Sequence, residues 1–309
     1  MIDAVPAATT RAVPAQVALV TCGAVPDLDS DDRLLIGPLA DRDVRATVAV
    51  WDDPTVDWAG FDLVVLRSTW DYPARRDQFV AWAATVPRLV NPADVVAWNT
   101  DKRYLDELLA AGVPVVPTTW VADAHWELPA QGEWVIKPAV SAGGRDTGRY
   151  DAADPAHRAQ AAAHVARLRA AGRLIMVQPY LPAVDSYGET AVLFLGGDYS
   201  HSTRKGPLLT GPDTQDVGLF RQESVTSRLP TPSELSVAEK ALAAVPGGPD
   251  RLLYARIDLI PGRNGEPLLV ELELTEPSLF LATAAEAPGR LANAIQAIVH
   301  KGPVREDRG

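Results

Sequence analysis

Short apolar runs broken by glycine, proline and charge mark the first part of the chain. Residues 16–21 are apolar up to Cys22-Gly23 and read as a buried strand. Residues 44–51 and 62–67 read as two more strands, and 88–92 as a fourth. Between them, residues 31–41 carry Leu34, Leu35, Pro38 and Leu39 on one helix face, and 78–85 repeat a helical spacing. Strand–helix alternation predicts a small parallel α/β unit, whose ligands meet the loops after the strand C-termini. That rule nominates Arg67-Ser68-Thr69-Trp70-Asp71-Tyr72, which reads either as a ligand-facing loop or as an ordinary turn around a core tryptophan.

From Asn99 the pattern changes. Asn99-Thr100-Asp101 predicts an N-cap for a helix over 102–111, with Tyr104, Leu105, Leu108 and Leu109 on its apolar face and Gly112 at its end. Residues 113–120 read as extended, and 134–138 as a strand with Lys137 at its end. The small residues of 139–148 let backbone N–H groups approach an anion. An alanine-rich helix over 156–171 leads to a strand over 174–182. Residues 189–195 and 199–205 read as strands joined by Gly196-Gly197-Asp198, the second ending in His201, Arg204 and Lys205. Residues 213–223 read as a polar loop, and 234–245 and 291–299 as helices.

The stretch 252–281 holds two alternating runs around a turn over 261–266, the pattern of a hairpin. Arg256 and Asp258 share one face of the first strand. Glu271 and Glu273 share one face of the second, with Val270, Leu272 and Leu274 on the other. Pairing would crowd three carboxylates and one arginine into a single patch, although like charges across a ladder repel. A hard divalent cation resolves that conflict; a solvated hairpin face is the plainer alternative.

Composition narrows the choice. The 309 residues, 47% of them hydrophobic, suffice for more than one domain with real cores. All eight tryptophans precede residue 135, so the two halves are built differently. A formal net charge of −11 argues against a nucleic-acid binder. The single cysteine, Cys22, allows no internal disulfide and reads as a small buried hydrophobe, so a reducing cytoplasm is expected. Residues 1–15 read as a loose tail, and no run is long and apolar enough to span a membrane. Only five of 29 basic residues are lysine (Lys102, Lys137, Lys205, Lys240 and Lys301), which directs attention to those positions.

Taken in order, a lysine at a helix start, a lysine ending a strand, a small-residue loop, a basic strand end and an acidic hairpin resemble the ATP-grasp superfamily. The D-alanine–D-alanine ligase and glutathione synthetase branch is the broad match. The resemblance implies an ATP-grasp fold: α/β overall, α+β in the C-terminal part. It further implies a tail over 1–15, a Rossmann-like pre-ATP-grasp domain over 16–97, a central subdomain over 98–183 and a metal-carrying C-terminal subdomain over 184–303. By the same resemblance Lys102, Lys137, Ser141, Gly143, Gly144 and Lys205 hold phosphates. Gln178, Pro179, Tyr180 and Leu181 clamp adenine, and Glu189 lies near the ribose. Asp258, Glu271 and Glu273 would ligate Mg²⁺, two ions being expected and Mn²⁺ an acceptable substitute. Arg256, Lys205 and Arg204 would serve the transferring phosphoryl group. Glutamate at position 273 departs from the asparagine often found in those ligases, yet keeps an oxygen donor.

A narrower resemblance rests on Arg67-Ser68-Thr69-Trp70-Asp71-Tyr72, on His201-Ser202-Thr203-Arg204-Lys205 and on Glu273-Leu274-Thr275-Glu276-Pro277-Ser278-Leu279. These are similar to the branch containing the O-ureido-D-serine cyclo-ligase of D-cycloserine biosynthesis. It implies an amino-acid-like small-molecule substrate, read by Arg67, Ser68, Trp70, Asp71, Arg204, Glu276 and Ser278. The implied chemistry is ATP-dependent formation of an acyl phosphate, attack by nitrogen, and a closing loop over 139–148 or 206–222 that excludes water. An intermolecular dipeptide-type ligase and a non-catalytic ATP-binding module are the alternatives. A dinucleotide-binding dehydrogenase is disfavoured because no glycine triplet follows the first strand. The oligomeric state is left open, a homodimer included.

Overall fold

The computed structural model describes residues 13–121, 126–215, 218–220 and 223–301. The tail expected over 1–15 falls largely outside them, and its last residue already opens a strand. The N-terminal layer comprises β1 (Ala15–Thr21), α1 (Ile36–Ala40), β2 (Val44–Val50), β3 (Leu63–Ser68), α2 (Arg76–Thr85), β4 (Leu89–Val90) and α3 (Ala93–Asn99). Its sheet runs β2-β1-β3-β4 with every pair parallel. β1 and β3 are covered on both faces, which is why they read as unbroken apolar runs rather than alternation.

The expected N-cap at Asn99-Thr100-Asp101 forms only in part: the Asp101 carboxylate accepts from Arg103 N (3.1 Å), ahead of the helix proper. Asn99 closes α3, a helix that the sequence did not announce, and α4 (Tyr104–Ala110) starts after Arg103 with no side-chain cap. The Asn99 amide bonds the edge of a distant strand instead, donating to Leu272 O (2.7 Å) and accepting from Leu274 N (2.8 Å). α4 ends near Gly112, whose φ of +82° suits glycine.

The second sheet, β5-β8-β6-β7, is antiparallel and carries one helix on its face. Its parts are β5 (Thr119–Val121), β6 (Glu133–Pro138), β7 (Gly148–Asp151), α5 (Pro155–Ala170) and β8 (Ile175–Pro179). Ala161, Val165 and Leu168 of α5 meet Ile136, Tyr150 and Val177 of the strands in one core.

The remainder forms α6 (Ala183–Tyr187), β9 (Glu189–Leu195), β10 (Asp198–Lys205), β11 (Val225–Ser227), α7 (Pro232–Ala243), β12 (Tyr254–Pro261), β13 (Pro267–Glu273) and α8 (Ala287–His300). The antiparallel sheet runs β11-β10-β9-β12-β13. Its central strand is buried on both sides: Val192 and Phe194 enter a core with α4 and α7, while Ala191, Leu193 and Leu195 enter another with α8 and β1. Period-two alternation thus divides β9 between two cores. The C-terminal helix α8 packs on the N-terminal layer, and the expected boundaries at 97/98 and 183/184 fall within α3 and at the head of α6. Among the described residues no helix is long and apolar enough to cross a membrane.

Asn91 fastens the first layer to the third. Fully buried, it donates to Tyr254 O (2.9 Å) and Leu274 O (2.7 Å) and accepts from Leu253 N (2.8 Å). Asn91→Ala strands these backbone groups and is expected to destabilise the protein by about 3 kcal/mol in urea unfolding. A loss below about 1 kcal/mol would show that the fastening lies elsewhere.

Candidate active site

The acidic hairpin forms as β12 and β13. Its register sets Arg256 opposite Glu273 and Asp258 opposite Glu271. The expected position of Val270 is wrong. The register shifts between Asp258 and Leu259, leaving Val270 as an extra residue. This bulge turns Leu268 and Val270 into an apolar cluster with Val116, Leu181, Val184 and Ile260, while Leu269 and Leu272 stay in the main core. Bulges re-aim side chains in this way. One strand therefore presents both an apolar slot and two carboxylates to a cavity of about 210 Å³.

Six carboxylates (Glu189, Glu223, Asp258, Glu271, Glu273 and Glu276) and four cations (Lys102, Lys137, Lys205 and Arg256) line that cavity. Lys102 Nζ pairs with Glu271 (2.9 Å) and donates to Ser141 O (2.9 Å) and Ser141 Oγ (3.1 Å). Lys205 Nζ reaches Asp258 (2.9 Å), Glu189 (3.0 Å) and Glu223 (3.3 Å). Arg256 grips Asp258 through Nε (3.0 Å) and Nη2 (2.9 Å) and pairs with Glu273. Lys137 makes no ion pair with any described residue. Burial lowers its pKa, against the pull of Glu271.

The acids split according to their neighbours. Burial pushes Asp258 upward, but Arg256 and Lys205 outweigh it and hold the group at about 2. Lys102 and Lys137 likewise outweigh burial at Glu271 and lower its pKa. Glu273 is raised to about 8, because burial and the charges of Glu271 and Asp258 exceed the pull of Arg256. As they stand, these carboxylates turn onto protein cations, and among the described residues no three His, Cys, Asp or Glu converge on one point.

Around this floor, Gly143 and Gly144 take φ of +63° and +68° in the small-residue loop. A Cβ at Gly143 would lie 2.7 Å from Phe220 Cβ, so glycine lets Leu219 and Phe220 settle on the loop. Phe220 in turn meets Trp70 edge-on at 5.1 Å. Both segments expected to close the site therefore touch at one end of it, residues 216, 217, 221 and 222 lying outside the described set. At the other end Gln178, Pro179, Tyr180 and Leu181 line the cavity. Arg149 stacks 3.6 Å from the Tyr180 ring centroid, and the Tyr180 hydroxyl donates to Asp185 (2.5 Å).

Of the residues expected to read a substrate, Trp70, Glu276 and Ser278 line the cavity; Arg67, Ser68, Asp71 and Arg204 do not. Asp71 accepts from Trp51 Nε1 (2.8 Å) and pairs with Arg75 (2.7 Å). Arg204 alternates away from Lys205 and holds Tyr187 O (2.7 Å) and Ser186 O (2.9 Å). Arg67 and Ser68 both bond Asp32, at 2.8 and 2.6 Å, and Arg67 Nη2 donates to Pro277 O (2.7 Å). The crevice beside β1 and β3, where strand order reverses and ligands usually enter, thus holds the chain's own 275–278 segment. Trp70 Nε1 donates to Glu276 O (2.9 Å) and the Tyr254 hydroxyl to Thr275 O (2.9 Å), completing the clasp. Sequence reasoning missed Phe220, Glu223 and the apolar slot. Only the bulge at Val270 and a return from an irregular loop bring them in, and neither leaves a periodic signal.

The Arg67 guanidinium is 1% exposed against an equally buried Asp32. Arg67→Ala would leave that carboxylate unpaired and is expected to cost about 3–5 kcal/mol in denaturant unfolding. Arg67→Lys should recover little of it, since one ammonium cannot reproduce the fork to Asp32 and Pro277. An alanine variant unfolding at the native midpoint would refute the clasp.

Comparison with known proteins relates the chain to others of like sequence and fold. Residues 17–91 match the family described as D-cycloserine synthetase DcsG, N-terminal domain. The cycloserine biosynthesis protein DcsG of Streptomyces lavendulae is 38% identical over 299 residues, covering 90% of this chain and 97% of that one. The crystal structure of D-cycloserine synthetase DcsG superposes with a TM-score of 0.80 at 35% identity, over 92% of this chain and 99% of that one. The D-alanine–D-alanine ligase of Bacillus anthracis complexed with ATP aligns at TM-score 0.61 and 12% identity over 96% and 100% of the two chains, a likeness of fold. With the acidic hairpin, the three lysines and the preceding α/β layer in place, the chain belongs to the DcsG family of ATP-grasp ligases.

Proposed function

We propose that this chain activates a small amino acid with ATP, forming an acyl phosphate that an internal nitrogen attacks to close a ring. The substrate is O-ureido-D-serine and the pathway that of D-cycloserine. One observation carries this reading. Among the described residues, four cations and six carboxylates meet in one cavity, with Lys137 left without a counter-ion, in a chain 38% identical to a cycloserine biosynthesis protein.

Lys137 and Lys102 offer positive charge to the phosphates of ATP from either side of the small-residue loop. Gly143 and Gly144 bring backbone N–H groups close to them. The slot formed by Val116, Leu181, Ile260 and Val270 accepts a flat base, and the segment 178–181 offers backbone groups to its edge. Glu189 stands beside Lys205 on the ribose side. Asp258, Glu271 and Glu273 would hold Mg²⁺, or Mn²⁺ in its place: all are hard oxygen donors, and among the described lining residues six acids against four cations leave negative charge to neutralise. Bound there, two ions would orient the phosphates and offset their charge.

The substrate carboxylate oxygen bonds to the γ-phosphorus as the bond to the ADP oxygen breaks, with Arg256 and Lys205 stabilising the charge in flight. The internal nitrogen then bonds to the carbonyl carbon and loses its proton, and phosphate departs; the carbamoyl group on that nitrogen is lost by hydrolysis, as carbon dioxide and ammonia, to give the free ring. Trp70 against Phe220 keeps water from the acyl phosphate. The buried thiol of Cys22 and the need for ATP suit the cytoplasm.

The test is ADP release from Mg-ATP with O-ureido-D-serine and no added amine. ADP and a cyclised product should form in equal amounts, and EDTA should stop both. Glu271→Gln, which keeps a hydrogen-bond partner for Lys102, is expected to lower kcat by about 100-fold or more. If added amine proves necessary, ring closure is wrong; if no carboxylate stimulates ADP release, the ligase reading fails.

A further inference from the structure

Among the cavity acids one stands apart. Glu189, Glu223, Asp258, Glu271 and Glu273 each sit in an ion pair with a lysine or arginine. Glu276 has no such pair among the described residues. Its neighbour is the hydroxyl of Tyr72, itself only 3% exposed. Glu276 is half-buried in the cavity wall, and a carboxylate withdrawn from water without a counter-charge is costly unless something else supplies the cation. Here the cavity is open to supply it.

Position argues the same way. Glu276 lies on the 275–278 segment, held by Trp70, Arg67 and Tyr254 from one side and by Arg256 Nη1, donating to Ser278 O (3.1 Å), from the other. Its backbone is therefore fixed relative to Arg256, a cation assigned to the phosphoryl group in flight to the substrate carboxylate. In an α-amino acid the ammonium and the carboxylate are separated by a single carbon. A receptor for the first must flank whatever holds the second, and Glu276 does so two residues from the Arg256 contact. Trp70 and Phe220 screen this end from water, which strengthens a charge pair formed beneath them. Burial raises the Glu276 carboxyl to about 7 even against the pull of Lys102, the behaviour of an acid lacking a partner.

We propose that Glu276, oriented by Tyr72 and Trp70, is the receptor for the substrate's α-ammonium, restricting the site to amino acids with a free primary amine. The proposal rests on the ligase reading for what enters the cavity. It is tested by binding rather than turnover: calorimetric titration with O-ureido-D-serine and with 3-(ureidooxy)propanoate, which lacks the amine, both in the presence of Mg²⁺ and a non-hydrolysable ATP analogue. The native protein should prefer the amino acid by about 100-fold. Glu276→Gln should bring the two affinities within about 3-fold of each other while the ATP analogue binds as before. Equal affinities in the native protein would overturn the assignment without any variant having to fold, and so would an undiminished preference in Glu276→Gln. A native protein that shows the preference yet releases no ADP would refute the ligase reading and leave Glu276 as the amine receptor.

Discussion

Excess negative charge on a buried hairpin is the constraint around which the rest of the molecule is arranged. β12 and β13 place Asp258, Glu271 and Glu273 within one ladder, where like charges would repel. Interleaving softens the conflict: Arg256 faces Glu273, Lys205 reaches Asp258 from a strand two places away, and Lys102 arrives from the segment before α4. The balance is incomplete, and the raised pKa of Glu273 is its mark. A site left short of positive charge in this way is suited to ligands that bring their own cations.

The N-terminal layer answers a second need, that of holding an irregular segment still. Residues 275–278 leave β13 without regular structure, and a free loop would fix nothing. Arg67, Trp70 and Tyr254 bond three successive carbonyls, those of Pro277, Glu276 and Thr275. The crevice at the strand-order reversal, commonly a ligand site in open parallel sheets, serves here to seat the chain's own backbone. Most of its polar residues thus act on the cavity at one remove, and among its described residues Trp70 alone lines it.

Two asparagines extend the same logic to the sheet edge. β13 is the last strand of its sheet, and an open edge exposes unpaired backbone groups. Asn91 and Asn99, each with a donor and an acceptor, satisfy backbone at Leu253, Tyr254, Leu272 and Leu274. The 114–116 segment bonds Leu269 from the same side. Rigidity of the acidic floor therefore comes from outside its own sheet.

The sequence by itself determined what local periodicity and chemistry can determine. The buried strands showed as apolar runs because both their faces are covered, and the hairpin showed because its turn and alternation are local. The lysines stood out through scarcity, and the order of the motifs carried the fold and the ATP-binding cavity. Only the tertiary structure decided which polar residues face that cavity. Arg67, Ser68 and Asp71 sit in a motif that reads as a ligand loop, yet they turn inward, because Asp32, Pro277 and Trp51 meet them across long sequence separations. Arg204 points away by the same alternation that delivers Lys205. The acidic hairpin kept its carboxylates but gained a bulge at Val270, which no composition rule encodes because a bulge is set by the partner strand. Glu276, which the resemblance already counted among the substrate-reading residues, was set apart from its neighbouring acids only once the fold had given every other described carboxylate in the cavity a cation.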